Sequence, residues 1–253
     1  MDFARALPGI RKRLKRDLAH EGLCREKVLA TVVWLLEVSL IRVGNDEYAR
    51  DNKSYGLTTM KNRHATVRGA KIKFQFRGKS GKEHVVKVED RRVARIVRAC
   101  QDLPGQELFQ CVDDEGQKQH VGSGDVNDYL REITGRDFTA KDFRTWAGTV
   151  SVACELRQLG PVDSETDAKK NVVVAVKATA QSLGNTLAVC RKSYIHPAII
   201  EAYLDGSLIP GLDEWKGRTG SNSSGRFQPD EAAVWRFLKR AINGRKKRAR
   251  SAN

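Results

Sequence analysis

The chain is poor in the features that mark metal, membrane or export proteins. Its five cysteines, Cys24, Cys100, Cys111, Cys154 and Cys190, are odd in number and far apart. No CxxC pair occurs and no Cys/His cluster has zinc-site spacing, so the cysteines read as free thiols in a reducing cytosol. The longest apolar stretch, Val28 to Ile41, is interrupted by Glu37 and is too short to span a bilayer. The amino terminus is charged rather than signal-like, and no lipidation signal accompanies it. There is no internal repeat. Acidic residues are in deficit, 31 Asp and Glu against 46 Lys and Arg, which gives a net charge of +15.

That basic excess is the electrostatic footprint of a nucleic-acid partner. Ribosomal and bystander proteins share it, and an anionic membrane surface is a weaker candidate because no basic amphipathic segment is evident. At 253 residues, 40% of them hydrophobic, the chain can bury a substantial core as one large domain or two small ones.

Residues 1–25 form a basic segment, with Arg11, Lys12, Arg13, Lys15 and Arg16 crowded into six positions. Val28 to Ile41 is apolar nearly all round, the pattern of a core helix, with Gly44 as its expected stop. Arg42 then sits at the mouth of a buried element. From about 54 to 88 the pattern changes to strands. Ile72, Phe74 and Phe76 alternate with Lys71, Lys73 and Gln75, and the turn-rich Arg77–Lys82 run predicts a β-hairpin with Lys79 at its tip. Helices are expected at 90–101, 124–134, 140–159, 168–183, 197–205 and 230–243, the 140–159 helix opening with a Thr139–Asp142 capping box. Residues 217–229 read as a flexible loop and 245–250 as a basic, disordered tail. The fold class is α+β, mainly α, with a small antiparallel sheet near the amino terminus.

Five side chains, Arg42 among them, are suited to work on a phosphate, and the other four each have a plainer reading beside that one. Arg144 falls in the turn after Thr139, where a cation opposes the helix dipole; a guanidinium fork suits a phosphate, but a solvated arginine or a partner to Asp142 is as good locally. Lys79 is an ordinary soluble turn residue, or an ammonium that protonates a leaving oxygen as a general acid. Asn185 follows Gly184 at a helix end, where both are common stops, although its amide can also donate to a phosphate oxygen. Tyr194, just after Arg191 and Lys192, is a packing tyrosine or a phenol aimed at a phosphate. A phenol is a weak nucleophile near neutrality unless clustered cations favour its ionised form. The Asp113-Asp114-Glu115 run reads as a solvated loop rather than a magnesium site.

Taken jointly, these segments resemble the catalytic domain of poxvirus-like and bacterial type IB DNA topoisomerases. The matching stretches are Leu40-Ile41-Arg42-Val43-Gly44, Tyr55-Gly56-Leu57-Thr58-Thr59-Met60-Lys61-Asn62 with His64, and Phe76-Arg77-Gly78-Lys79. They continue with Lys141-Asp142-Phe143-Arg144-Thr145 and Gly184-Asn185-Thr186, and end at Arg191-Lys192-Ser193-Tyr194. The resemblance implies that Tyr194 attacks a DNA phosphodiester, leaving a 3′-phosphotyrosyl link and a free 5′-hydroxyl. Arg42 and Arg144 would stabilise the transition state, Lys79 would protonate the departing oxygen, and Asn185 would stand where many members carry histidine. Lys61, Arg63, Lys141, Arg191 and Lys192 would bind DNA. No cofactor is implied, and the lack of a P-loop or metal cluster fits resealing without ATP or metal. The partner expected is double-stranded DNA, bound by a monomer with no membrane association, in a cytoplasmic, nucleoid-associated protein.

The resemblance divides the chain into the basic segment 1–25, a catalytic domain over 26–213, and a loop, final helix and tail over 214–253. The family's usual amino-terminal lobe is expected to be absent. Two other readings stay open. A tyrosine recombinase shares the chemistry, but its second arginine usually belongs to His-x-x-Arg, whereas here Lys141 begins that motif. A non-catalytic DNA-binding remnant is the other.

Overall fold

The computed structural model describes residues 1–214 and 227–251, with side chains described through residue 244. Residues 217–226 of the expected loop lie outside that range. The chain forms two compact units, one of Gly9–Phe143 and one of Met1–Pro8 with everything from Arg144 onward. These are called the amino-terminal and carboxy-terminal units. The stretch 26–213, expected as one catalytic domain, is shared between both. The division falls inside helix α1 (Asp2–Asp17) and inside helix α6 (Ala140–Leu159).

The amino-terminal unit is built on α2 (Arg25–Ser39), whose Val28, Leu29, Val32, Val33, Leu35 and Leu36 are all buried. It is the all-round apolar helix that the sequence predicts. Its stop is not Gly44. Leu40 takes the left-handed conformation (φ 55°) and returns its N–H to the Leu36 carbonyl, at a cost a glycine would have avoided. A short helix α3 (Asp46–Asn52) follows, capped by the Asn45 side chain on Tyr48 N.

The three-stranded sheet runs in the order β1 (Ala65–Arg68), β2 (Lys71–Arg77), β3 (Glu83–Glu89), antiparallel throughout. Phe74 pairs with Ala65 on one side and Val86 on the other. Ile72, Phe74 and Phe76 face the core while Lys71, Lys73 and Gln75 face solvent, which is the alternation read from sequence. Residues 54–64, expected as the start of the strands, are instead short 3-10 turns at Leu57–Thr59 and Asn62–His64. Helices α4 (Arg91–Asp102) and α5 (Ser123–Thr134) and a small hairpin, β4 (Gln110–Val112) with β5 (Lys118–His120), complete the unit. The Asp113-Asp114-Glu115 run is the turn of that hairpin, with Asp113 accepting from the N–H groups of Glu115 and Gln117.

The basic segment 1–25 holds more order than its charge suggests. Phe3, Leu7, Ile10 and Leu14 recur at helical spacing along α1 and are buried, with Leu18 just past its end, while Lys12, Lys15 and Arg16 are exposed and Arg11 and Arg13 are half-buried in ion pairs with Glu37 and Asp17.

In the carboxy-terminal unit, α6 is followed by α7 (Glu165–Ser182), α8 (Leu187–Ser193), α9 (Pro197–Leu204), α10 (Leu208–Asp213) and α11 (Pro229–Ser251). The last helix is docked by Val234, Phe237 and Leu238, by Trp146 Nε1 donating to Glu231 at 3.1 Å, and by an Arg157–Asp230 ion pair at 2.7 Å. Its backbone stays helical through 245–250, where the sequence suggested a disordered tail; repeated Lys and Arg have good helix propensity. Among the described residues no single helix is long and apolar enough to cross a membrane.

Candidate active site

One face of α6 arranges the chemistry. Thr139 N donates to the Asp142 carboxylate at 2.8 Å, and the Thr139 hydroxyl donates to the same oxygen at 3.0 Å. Only half of the expected capping box is made: the carboxylate takes the Thr139 N–H, but the Thr139 hydroxyl donates to that carboxylate and the Asp142 N–H goes to the Thr139 carbonyl instead. Arg144 is the fifth residue of α6, just past a first turn in which Lys141 is exposed but Ala140 and Phe143 are buried. It is also not a solvated side chain. At 4% exposure its guanidinium is buried, and Nη2 donates to the Leu183 carbonyl at 2.6 Å. Leu183 caps the carboxyl end of α7, where carbonyls lack helical partners and the helix dipole favours a cation. A charge-assisted bond there is among the stronger kinds available.

Arg144 also lies beneath Tyr194, with Cζ 5.2 Å from the ring centroid, within cation–π range. Tyr194 ends α8, its N–H bonded to Cys190 O at 3.0 Å, and its side chain is half-buried. Two small residues on α6 let it sit so close. A Cβ on Gly148 would come within 2.6 Å of the Tyr194 carbonyl oxygen and 3.3 Å of its Cβ, so only glycine fits. Thr149 Oγ1 lies 3.5 Å from the Tyr194 carbonyl and accepts from His196 N at 3.0 Å. Arg144 and Gly148 are four residues apart and therefore share one face of α6.

Asn185 is placed by the end of α7. Gly184 N bonds Gln181 O at 3.0 Å and Asn185 N bonds Ala180 O at 2.9 Å, the paired bonds of a Schellman motif. This stop role, foreseen from sequence, sets the amide two residues beyond the carbonyl that Arg144 holds. Arg144, Asn185 and Tyr194 are thus gathered within one unit. Arg191 and Lys192 are exposed in the turn before Tyr194, and Lys141 is exposed on the first turn of α6.

The amino-terminal unit carries Arg42 and Lys79. The Arg42 carbonyl accepts from Leu57 N at 2.9 Å, and Val43 O accepts from Thr58 N at 2.7 Å. Gly56 permits this approach, since a Cβ there would lie 2.5 Å from Arg42 O. One residue earlier, Tyr55 N donates to Arg77 O at 2.7 Å. Arg42 and the base of the β2–β3 hairpin are therefore tied to the same short segment. Lys79 is exposed in the turn of that hairpin, as the sequence predicts, on a loop closed by Gly78 N to Lys82 O at 2.7 Å. Lys61 reaches Gln106 Oε1 at 3.2 Å, and Arg63 is exposed. Next to Arg63, His64 is buried against Tyr55 and accepts from Lys61 N at 3.0 Å through Nδ1. Burial, with Arg63 and Lys61 adding to it, lowers the His64 pKa, so the ring stays neutral and able to accept. Next to Arg144, burial raises the Cys190 thiol even though the guanidinium pulls the other way.

Sequence reasoning missed Gly148, Thr149 and Leu183, which hold the candidate residues rather than act as them. The adjacent small residues Gly148 and Thr149, one turn past Arg144, are the signal that was available.

A family model described as eukaryotic DNA topoisomerase I, catalytic core, matches residues 1–207. The DNA topoisomerase 1B of Acanthamoeba polyphaga mimivirus is 31% identical over 210 residues, covering 80% of this chain and 62% of the viral protein. The chain belongs to the type IB DNA topoisomerase family. Within it the affinity is to the poxvirus-like group: the DNA topoisomerase 1B of vaccinia virus (strain Copenhagen) is 23% identical over 188 residues, 72% of this chain and 55% of that protein. The DNA topoisomerase 1 of Schizosaccharomyces pombe is 26% identical over 152 residues, 59% of this chain and 18% of its own length. The chain therefore spans about 62% and 55% of the length of these two viral relatives.

Proposed function

We propose that this chain relaxes supercoiled duplex DNA by cutting one strand, allowing it to swivel and resealing it. The Tyr194 hydroxyl releases its proton to solvent as its oxygen attacks a backbone phosphorus. The bond to the 5′ oxygen breaks, leaving a 3′-phosphotyrosyl link and a 5′-hydroxyl. Arg144 and Arg42 meet the charge that develops on the non-bridging oxygens, a contribution that usually dominates such barriers. The Asn185 amide donates to the same phosphate without adding charge. Lys79 gives its proton to the departing 5′ oxygen. The phosphodiester's energy is kept in the tyrosyl link, so religation is the same step reversed and calls for neither ATP nor a metal. The DNA is bound by a monomer through phosphate contacts that include Lys61, Arg63, Lys141, Arg191 and Lys192, so affinity falls as salt rises.

One observation carries the reading: a buried guanidinium lies under the ring of a half-buried tyrosine, in a basic protein of this family. Burying an arginine against a helix end is costly unless it is paired, and a surface ion pair would have served stability more simply. The test is relaxation of a negatively supercoiled plasmid lacking repeated sites, without ATP and with a chelator present. The wild-type chain is expected to produce a ladder of topoisomers, and Tyr194→Phe none. Products that require paired sites would indicate a recombinase, and plasmid binding without relaxation a non-catalytic DNA-binding protein.

A further inference from the structure

The turn between α1 and α2 brings together three side chains that the proposed DNA chemistry does not use. His20, Cys24 and Glu26 place one ligand atom each within 4.8 Å of one another. Cys24 Sγ lies 3.6 Å from His20 Nδ1. A tetrahedral zinc ion with Zn–S about 2.3 Å and Zn–N about 2.0–2.1 Å sets sulfur and nitrogen about 3.6 Å apart. That edge of the coordination polyhedron already exists. Closing the third corner asks the Glu26 carboxylate to move inward by about 1 Å, which a half-buried side chain on the first turn of α2 can do.

A carboxylate also stands on the far side of the histidine ring, beyond hydrogen-bond distance. The far ring nitrogen, His20 Nε2, faces the Asp17 carboxylate at 3.9 Å. Asp17 has no exposed surface and is fixed by Arg13 at 2.7 Å, Arg16 at 3.0 Å and the Tyr129 hydroxyl at 2.8 Å. Histidines that ligate metals commonly turn their other N–H to a carboxylate, which fixes the tautomer and the ring orientation. The backbone carrying the ligands is also restrained. Lys27 Nζ donates to His20 O at 2.7 Å, and Val112 N donates to Leu23 O at 2.9 Å.

We infer that His20, Cys24 and Glu26 form a zinc site that staples the end of α1 to the start of α2, with water as fourth ligand. The donor set of one thiolate, one imidazole and one carboxylate suits zinc rather than magnesium or calcium. On binding, the Cys24 thiol loses its proton to solvent and the thiolate becomes the sulfur ligand, so affinity rises with pH. The spacing His20-x3-Cys24-x-Glu26 is not a recognised zinc pattern. It becomes one only because the turn after α1 folds the histidine back over the α2 cap. The site is independent of the phosphotyrosyl chemistry, since none of its ligands is a candidate catalytic residue.

Cobalt(II) titration of the full-length chain, without DNA, is the test. The expected result is a thiolate-to-cobalt charge-transfer band that saturates at one equivalent and is displaced by zinc. The band is lost in Cys24→Ser, and affinity falls at least about tenfold in His20→Gln and in Glu26→Gln. Zinc raises the thermal midpoint of the wild type and not that of Cys24→Ser. Each altered side chain is at least partly exposed, and circular dichroism verifies the fold of each variant. Absence of the band, or its persistence in Cys24→Ser or at full affinity in His20→Gln, overturns the inference whatever the DNA-relaxation outcome.

Discussion

In the amino-terminal unit, Arg42 and Lys79 are positioned by backbone hydrogen bonds: Arg42 O to Leu57 N, Tyr55 N to Arg77 O, and Gly78 N to Lys82 O. Lys79 itself is exposed in the hairpin turn. In the carboxy-terminal unit, Arg144 is positioned by its own side chain, buried between the end of α7 and the Tyr194 ring. The difference separates two kinds of candidate residue. The first, seen in Lys79, can be removed with little effect on folding because its exposed side chain is not part of the scaffold. The other belongs to both the scaffold and the chemistry, so its loss should register twice.

Lys79→Ala sharpens the contrast most. Relaxation should slow by about 10²–10⁴-fold, the usual worth of a general acid, with an unchanged thermal midpoint. A substrate bearing a better 5′ leaving group should recover most of the lost cleavage rate. Arg144→Ala should slow relaxation by about 10²–10³-fold and also destabilise the fold by about 2–4 kcal/mol, since it leaves a cavity and an unpaired Leu183 carbonyl. Equal midpoints for these two variants would erase the distinction.

Gly148→Ala tests the packing alone. A methyl 2.6 Å from the Tyr194 carbonyl must displace it, at a cost of about 1–3 kcal/mol, and denaturant melts should show it. The smallest effect concerns pH. Burial alone would raise the Asp17 pKa, but the Tyr129 hydroxyl, Arg16 and Arg13 together hold it below the ordinary carboxylate value of 3.8. A depressed acid contributes stability that is full above its unfolded pKa and is lost as pH falls through its folded value. Below about pH 4 the amino-terminal unit should therefore weaken, and Asp17→Asn should flatten that dependence. Arg144, charged at every accessible pH, should give the other unit no such slope.

What the sequence revealed follows the range of the forces involved. Local periodicity marks α2, the β2–β3 hairpin and α6, because alternation and apolar spacing are read over a few residues. Helix α1 escaped because six positions of dense charge masked the stripe of Phe3, Leu7, Ile10 and Leu14. The Leu40 stop escaped because Gly44 offered an easier left-handed residue nearby. Arg144 shows the limit for function. Its position in the ordered set of motifs was legible, yet its burial was not, because the Leu183 carbonyl that holds it comes 39 residues later. The Gly148 contact with Tyr194 is equally remote along the chain. The turn of His20, Cys24 and Glu26 was passed over because its spacing fits no known pattern.

Mapping the covalent bond itself tests the account most directly. The chain is incubated with an intact duplex whose cleavable strand is labelled at its 5′ end and denatured rapidly. The trapped adduct is then digested and sequenced by mass spectrometry. The expected result is a single modified peptide with the DNA 3′-phosphate on the Tyr194 oxygen, a free 5′-hydroxyl on the released end, and no adduct from Tyr194→Phe. An adduct on any other residue, or one that survives Tyr194→Phe, would contradict the proposal that this phenol is the nucleophile.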